Sequence, residues 1–212
     1  MAIETLTVAL RGTRTYVQGS QILARTAELI AAASGTPTTL VMAKFTQITD
    51  RGVLAALADT DALDGVEIGR AQFVNGAERQ TVRYFEVAGP QAPWIEDVAK
   101  VTSGLVAGTD GSGQTDFAIA GTFESYLVAI IECVKAVHDR RGDQVSDIWF
   151  TALMGARLPL ASVYPTTGVL RVTPKIERMV DGRLQTLSLL ETESATGAPP
   201  PFQICFSCVV GT

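Results

Sequence analysis

Asn75-Gly76 and Asp181-Gly182 constrain this chain more than any other feature. Each has the composition of a tight two-residue hairpin turn of type I′, in which both central residues need positive φ. They lie 106 positions apart, and neighbouring features repeat at nearly that offset. Gly65-Val66 recurs as Gly168-Val169, 103 on; Glu28, inside an apolar helical run, recurs as Glu132, 104 on. Three features agreeing to within a few residues predict one supersecondary unit used twice.

Composition supplies the material for such a unit. Of the 212 residues 47% are apolar and 18% charged, enough to build a core and far from a disordered chain. The net charge of −5 and the lack of a basic stripe argue against a nucleic-acid partner, since Arg11/Arg14 and Arg140-Arg141 are too few to neutralise a phosphate backbone. No apolar run approaches the roughly 20 residues that span a bilayer. Met1–Leu10 contains a glutamate and lacks a basic stretch followed by an apolar one, so no secretory signal is expected. Three cysteines cannot all pair, which suits reduced thiols and a cytoplasmic protein.

Along the chain, residues 3–10 read as a strand. Residues 19–34 read as a helix with Ser20 as N-cap, an apolar stripe through Ile22, Ala27, Leu29, Ile30 and Ala33, and Gly35 beyond its end. Residues 38–48 read as a strand, 66–74 and 77–88 as a hairpin, and 94–107 as a closing strand. Residues 108–115 (GTDGSGQT) have the composition of a linker. Beyond it, 116–120 read as a short strand and 123–139 as the strongest helix, stopped by Gly142. Strands follow at 145–154, 169–179, 183–193 and 202–210. Two repeats, 1–107 and 116–212, therefore share the order strand, long apolar helix, strand, hairpin, strand. The second helix is apolar nearly all round, broken by Glu132, and a curved antiparallel sheet would enclose it.

This order resembles the hotdog fold, in which an antiparallel sheet wraps one central helix. The expected class is α+β, a double hotdog of two antiparallel sheets, each around a long helix. The segments Glu28-Leu29-Ile30-Ala31-Ala32-Ala33-Ser34-Gly35 and Ile130-Ile131-Glu132-Cys133-Val134 are similar to the central helix of β-hydroxyacyl-carrier-protein dehydratases, which carries an acid followed by small residues. In those enzymes the acid of one hotdog faces a histidine of the other. The sequence departs from the family here. Counting back about fourteen residues from Glu28 lands on Arg14, and from Glu132 on Ala118; the one histidine, His138, ends the second helix. The missing base is the group that takes the α-proton.

The resemblance implies a site built on Glu132 as the proton-handling acid and Glu28 as its counterpart. Of the residues in the loop entering the first helix, Tyr16 would donate to the thioester carbonyl and Gln18 would orient it, with Arg11, Arg14 and Gly19 as substrate-binding positions. Each has a plainer reading. A glutamate in an apolar helix costs several kcal/mol unless neutral or paired, whereas at a helix edge it is simply solvated. Glu28 sits by Arg25 and Thr26 on a more amphipathic helix, Tyr16 can be a packing anchor, and Arg11 and Arg14 can be solvated. His138 suits a helix C-terminus, where a cation complements the dipole. Cys205-x-x-Cys208 lies in a strand and has no second pair, so no metal site is expected. The glycine stretch at 108–113 lacks the Lys-Ser/Thr of a phosphate loop.

The implied activity is elimination of water from a β-hydroxyacyl chain on an acyl carrier protein, or isomerisation of the alkene, in fatty-acid or polyketide assembly. No cofactor is expected, because the substrate carries its own phosphopantetheine. The alternatives are a non-catalytic hotdog subunit paired with a histidine-bearing partner, favoured by the missing histidine, and an acyl thioesterase using a carboxylate, for which Asp50 and Asp116 are the weakest link. A dimer is expected.

Overall fold

Both apolar runs are helices over the expected residues, α1 (Gly19–Ser34) and α2 (Phe123–Asp139). The computed structural model describes residues 3–11, 15–34, 37–57, 63, 65–95, 104–108, 111–140, 145–160 and 162–210. They divide into two units, Met1–Ala99 with Leu158–Ala161, and Lys100–Arg157 with Ser162–Thr212.

The first unit contains β1 (Ile3–Leu6), β2 (Leu10–Arg11), β3 (Thr38–Phe45), β4 (Arg51–Leu57), β5 (Val66–Asn75), β6 (Glu78–Gln91) and β7 (Trp94–Ile95). Five strands form an antiparallel sheet in the order β1-β4-β6-β5-β3, while β2 and β7 make a small parallel pair. α1 packs on β1 and β3. Its Ile22, Leu23, Ala27 and Ile30 are buried, as are Leu40, Ala43, Phe73 and Tyr84 of the sheet. Each buried Ile or Leu contributes about 1.5–3 kcal/mol by leaving water. A bulge between Leu40 and Met42 shifts the alternation of β3 by one residue. Thr38 and Leu40 before it and Ala43 and Phe45 after it are therefore all buried.

The second unit contains β8 (Val106–Ala107), β9 (Gly113–Ala118), β10 (Val145–Pro159, of which the residues to Arg157 belong here), β11 (Thr167–Val180), β12 (Arg183–Glu193) and β13 (Phe202–Val210). Their order is β10-β13-β12-β11-β9-β8, all antiparallel. α2 packs on β9 and β11 and buries Tyr126, Leu127, Ile130 and Val134 completely or nearly so. A capping box starts it: Thr122 Oγ1 accepts from the Ser125 amide at 3.1 Å, and Ser125 Oγ accepts from the Thr122 amide at 3.0 Å.

The two units correspond at the level of single contacts. Gly65 and Gly168 stand at equivalent places: the residue after each pairs across the hairpin with a glutamate, Val66 with Glu86 and Val169 with Glu193. A side chain at either glycine would run into that glutamate's carbonyl oxygen. Glu28 and Glu132 are each the tenth residue of their helix.

Several expectations are corrected. The two hairpin turns differ in type. At the second, Asp181 and Gly182 have φ of 50° and 75°, the positive pair of a type I′ turn. At the first, Asn75 pairs with Glu78 as the last residue of β5, and Gly76 and Ala77 are the central residues. Only Gly76 has positive φ, at 60°, the pattern of a type II′ turn with glycine first. Ser20 is not the N-cap of α1 but its second residue. β4 was not expected, because Arg-Gly-Val-Leu-Ala-Ala-Leu has little β-propensity; between β1 and β6 its small side chains fit a strand paired on both sides. The closing strand expected at 94–107 is represented by β7 and β8, with 96–103 outside the described residues. The stretch 108–115 joins β8 to β9 inside the second unit: the Gly108 amide donates to the Ser112 carbonyl at 2.9 Å, and Gly113 already opens β9. A Cβ at Gly113 would lie 2.8 Å from Val137 Cγ2, so this glycine serves close packing.

Candidate functional site

The loop entering α1 is positioned from below by a polar cluster. The Val17 amide donates to the Thr49 carbonyl at 2.7 Å. Thr49 is 4% exposed, and its hydroxyl donates to Glu86 Oε2 at 2.6 Å while accepting from the Arg51 amide at 3.0 Å. Arg51 Nε stands 3.9 Å from Glu86 Oε1. Tyr16 and Gln18, the residues expected at the thioester carbonyl, are half-buried in this loop. The Gln18 carbonyl accepts from the amides of Gln21 and Ile22 at 3.0 and 3.2 Å, so Gln18 serves as the helix cap, and Gly19 follows as the first helical residue. Arg14 lies outside the described residues.

Beside α1 a groove of about 470 Å³ is lined by Arg11, Gln21, Arg25 and Glu28, with Leu6, Val8, Leu29 and Ile95 among its apolar walls. Gln21 Oε1 accepts from the buried Ala9 amide at 2.9 Å, which ties the chain between β1 and β2 to the helix. Arg11 is 9% exposed. Two expected site residues, Arg11 and Glu28, are thus brought together, whereas Tyr16, Gln18 and Gly19 do not line this groove. The Glu28 carboxylate places both oxygens on Arg25 Nη1, at 2.6 and 2.7 Å, and is 59% exposed. It is a clasped surface acid, not a poised base.

In the second unit the acid of interest is also less isolated than its sequence context suggests. α2 is not enclosed all round: Glu124, Val128, Glu132 and Lys135 form a half-buried stripe at helical spacing, between the buried Ile131 and Cys133. Glu132 belongs to that stripe and avoids the cost of an isolated charge in the core. The polar groups that are buried lie elsewhere on the helix. The hydroxyls of Tyr126 and Thr192 share a hydrogen bond of 2.6 Å, and the Tyr126 ring stacks on Tyr164 with centroids 4.7 Å apart. Burial pushes the Tyr126 phenol up to about 12, against a smaller opposite pull from the Thr192 bond, so it is a neutral hydrogen-bonding group. Burial likewise pushes the Cys133 thiol up to about 12, which removes it as a nucleophile. All three cysteines are free thiols.

His138 is 1% exposed at the far end of α2. Its Nε2 lies 3.0 Å from Thr186 Oγ1 and its ring centroid 5.9 Å from that of Phe206. This imidazole is built into the core. Among the described residues no cluster of three or more His, Cys, Asp or Glu could hold a metal ion, and no helix is long and apolar enough to cross a membrane.

Sequence reasoning missed the Thr49–Glu86–Arg51 cluster, whose members lie on different strands and loops. It also missed the Gln21 tie, although a glutamine beside Ile22 and Leu23 on an apolar helix is a visible signal. The Arg25–Glu28 spacing of three is legible as a helical ion pair.

No family model matches the sequence, and none of the curated proteins matches it significantly. Solved structures do match the fold across nearly the whole chain. The dehydratase domain from the CurJ module of curacin polyketide synthase aligns with a TM-score of 0.57 at 8% identity, over 94% of this chain and 85% of that one. The dehydratase domain of the polyketide PpsC from Mycobacterium tuberculosis aligns with 0.53 at 9%, over 92% and 85%. A TesB protein of Mycobacterium avium subspecies paratuberculosis aligns with 0.50 at 11%, over 97% and 91%. The chain has the double-hotdog fold of polyketide dehydratase domains and of a TesB protein.

Proposed function

We propose that this chain is a dehydratase-like hotdog protein that holds β-hydroxyacyl or enoyl chains presented as thioesters of an acyl carrier protein, and that a second hotdog subunit brings the histidine for elimination. The observation that carries this reading is His138. It is the one histidine in the sequence, and it is buried against Thr186 and Phe206. An α-proton on a thioester needs a base within hydrogen-bond reach, and a core imidazole cannot meet it.

A second reading keeps the chemistry in this chain. Glu28 and Glu132 each stand at the tenth position of their helix; Glu132 is half-buried in its stripe on α2, whereas Glu28 is the exposed partner of Arg25. Glu132 would then handle the proton, with a water or a substrate hydroxyl completing the transfer. The thioesterase alternative is weaker, because Asp50 accepts from Gln91 at 3.2 Å and lies 3.9 Å from Arg51, and Asp116 faces outward from a strand.

The test is to titrate the purified chain with a β-hydroxyoctanoyl thioester of phosphopantetheine and to isolate it from its native host under gentle conditions. Saturable binding and co-isolation of a histidine-bearing hotdog protein support the subunit reading. No binding of the thioester overturns it.

A further inference from the structure

The groove beside α1 has the features of a ligand site. Its volume of about 470 Å³ falls in the range of roughly 300–1,000 Å³ usual for small-molecule sites. Among the described residues its lining holds two guanidiniums, Arg11 and Arg25, and one carboxylate, Glu28, set against Leu6, Val8, Leu29 and Ile95. One of the guanidiniums, Arg11, is nine-tenths buried, so its field is little screened by water.

We infer that this groove binds a small organic acid with an apolar chain, its carboxylate held by Arg11 and Arg25 and its chain lying along Leu6, Val8 and Leu29. The Arg25–Glu28 contact shows that a carboxylate fits against this guanidinium, with both oxygens within 2.7 Å of Nη1. That contact is exposed and solvent-screened, hence weak. A ligand carboxylate that also reaches the more buried Arg11 displaces Glu28, whose side chain is free to swing to solvent. A charge-assisted pair in the less hydrated part of the groove is the stronger of the two. Gln21 and Ala9, which also line the groove, are tied together by the hydrogen bond from the Ala9 amide to Gln21 Oε1.

The site goes beyond the thioester reading and does not depend on it. If a free acid binds and the thioester does not, the groove assignment stands while the thioester reading falls, and the converse holds as well.

The experiment is titration calorimetry of the full chain with octanoate, octanol, inorganic phosphate and 4′-phosphopantetheine. The expected result is saturable binding of octanoate, weaker by about ten-fold or more in Arg25→Gln, the scale of one charge-assisted hydrogen bond, and tighter by about two- to three-fold in Glu28→Gln. Arg11→Gln is expected to weaken binding further. Because Arg11 is buried and its replacement can unfold the unit, the surface variant Arg25→Gln decides the matter. Equal binding of octanol and octanoate, or octanoate binding unchanged in Arg25→Gln, overturns the inference. Binding of phosphopantetheine or phosphate without octanoate also overturns it, by assigning the groove to a phosphate head.

Discussion

His138 Nε2 lies 3.0 Å from the hydroxyl of Thr186, in the interior and against the Phe206 ring. The chain's one imidazole therefore joins the end of α2 to β12 and β13. His138→Ala is expected to destabilise the fold by about 2–4 kcal/mol, from a cavity beside Phe206 and the hydroxyl of Thr186 left without this bond. Denaturant unfolding measures it. The same substitution is expected to leave thioester binding by the folded fraction unchanged. A stable variant that has lost thioester binding would place His138 at the site instead.

The two hairpin turns offer a direct comparison. Asp181 has φ of 50°, while Asn75 ends a strand and stays out of that region. Asp181→Ala is expected to cost about 1 kcal/mol, since a left-handed residue other than glycine, asparagine or aspartate is strained there. Asn75→Ala is expected to cost under about 0.5 kcal/mol. Equal costs in chemical denaturation would mean the two turns are of one type after all.

Gly168 cannot take a side chain, because a Cβ would collide with the Glu193 carbonyl and lie 2.9 Å from the Phe117 ring. Gly168→Ala is expected to destabilise by about 3 kcal/mol or more, in the range of severe core overpacking. Gly65→Ala meets its equivalent carbonyl, that of Glu86, at 3.1 Å and is expected to cost less. Thermal unfolding of the two variants orders them, and a milder Gly168→Ala would contradict the packing described.

Cys133 carries a pH prediction. In the unfolded chain its thiol ionises near 9, and in the fold burial holds it near 12. Above pH 9 the unfolded chain sheds this proton first, so the stabilising contribution, complete below about 9, is lost as pH rises toward 12. Tyr126 acts in the same direction between about 10 and 12. A Cys133→Ala chain is expected to lose less stability than the parent between pH 8.5 and 10. Native Cys133 is expected to resist a thiol reagent until the chain unfolds. Rapid labelling of this cysteine in the native protein would contradict its burial.

Much of the fold was legible because its signals are local. Helix periods and end signals placed α1 and α2, and alternation with turn dipeptides placed the β11–β12 hairpin. The misses share a non-local cause. β4 is a strand because β1 and β6 flank it, not because of its own residues. The glycines of 108–113 looked like a linker, but Gly113 is small because Val137 and Leu105 crowd it. Asn-Gly by itself favours a turn centred on Asn75, yet strand pairing of Asn75 with Glu78 moves the turn on by one residue.

The site was legible in part. Arg11 and Glu28 share a groove, although in the sequence Arg11 lies just past the expected first strand and Glu28 on a helix, 17 residues apart. Glu132 looked isolated because its neighbours are Ile131 and Cys133, whereas helical geometry lines it up with Glu124 and Lys135. The Thr49–Glu86 bond spans 37 residues and is invisible to any local pattern.

The most direct test of the central claim is a single-turnover incubation of the chain, purified alone, with a β-hydroxyoctanoyl-phosphopantetheine thioester, followed by mass spectrometry of the acyl chain. The account predicts that the thioester binds and is recovered with its hydroxyl intact. Loss of water to form the enoyl thioester, abolished in Glu132→Gln, would contradict it and make this chain a dehydratase in its own right.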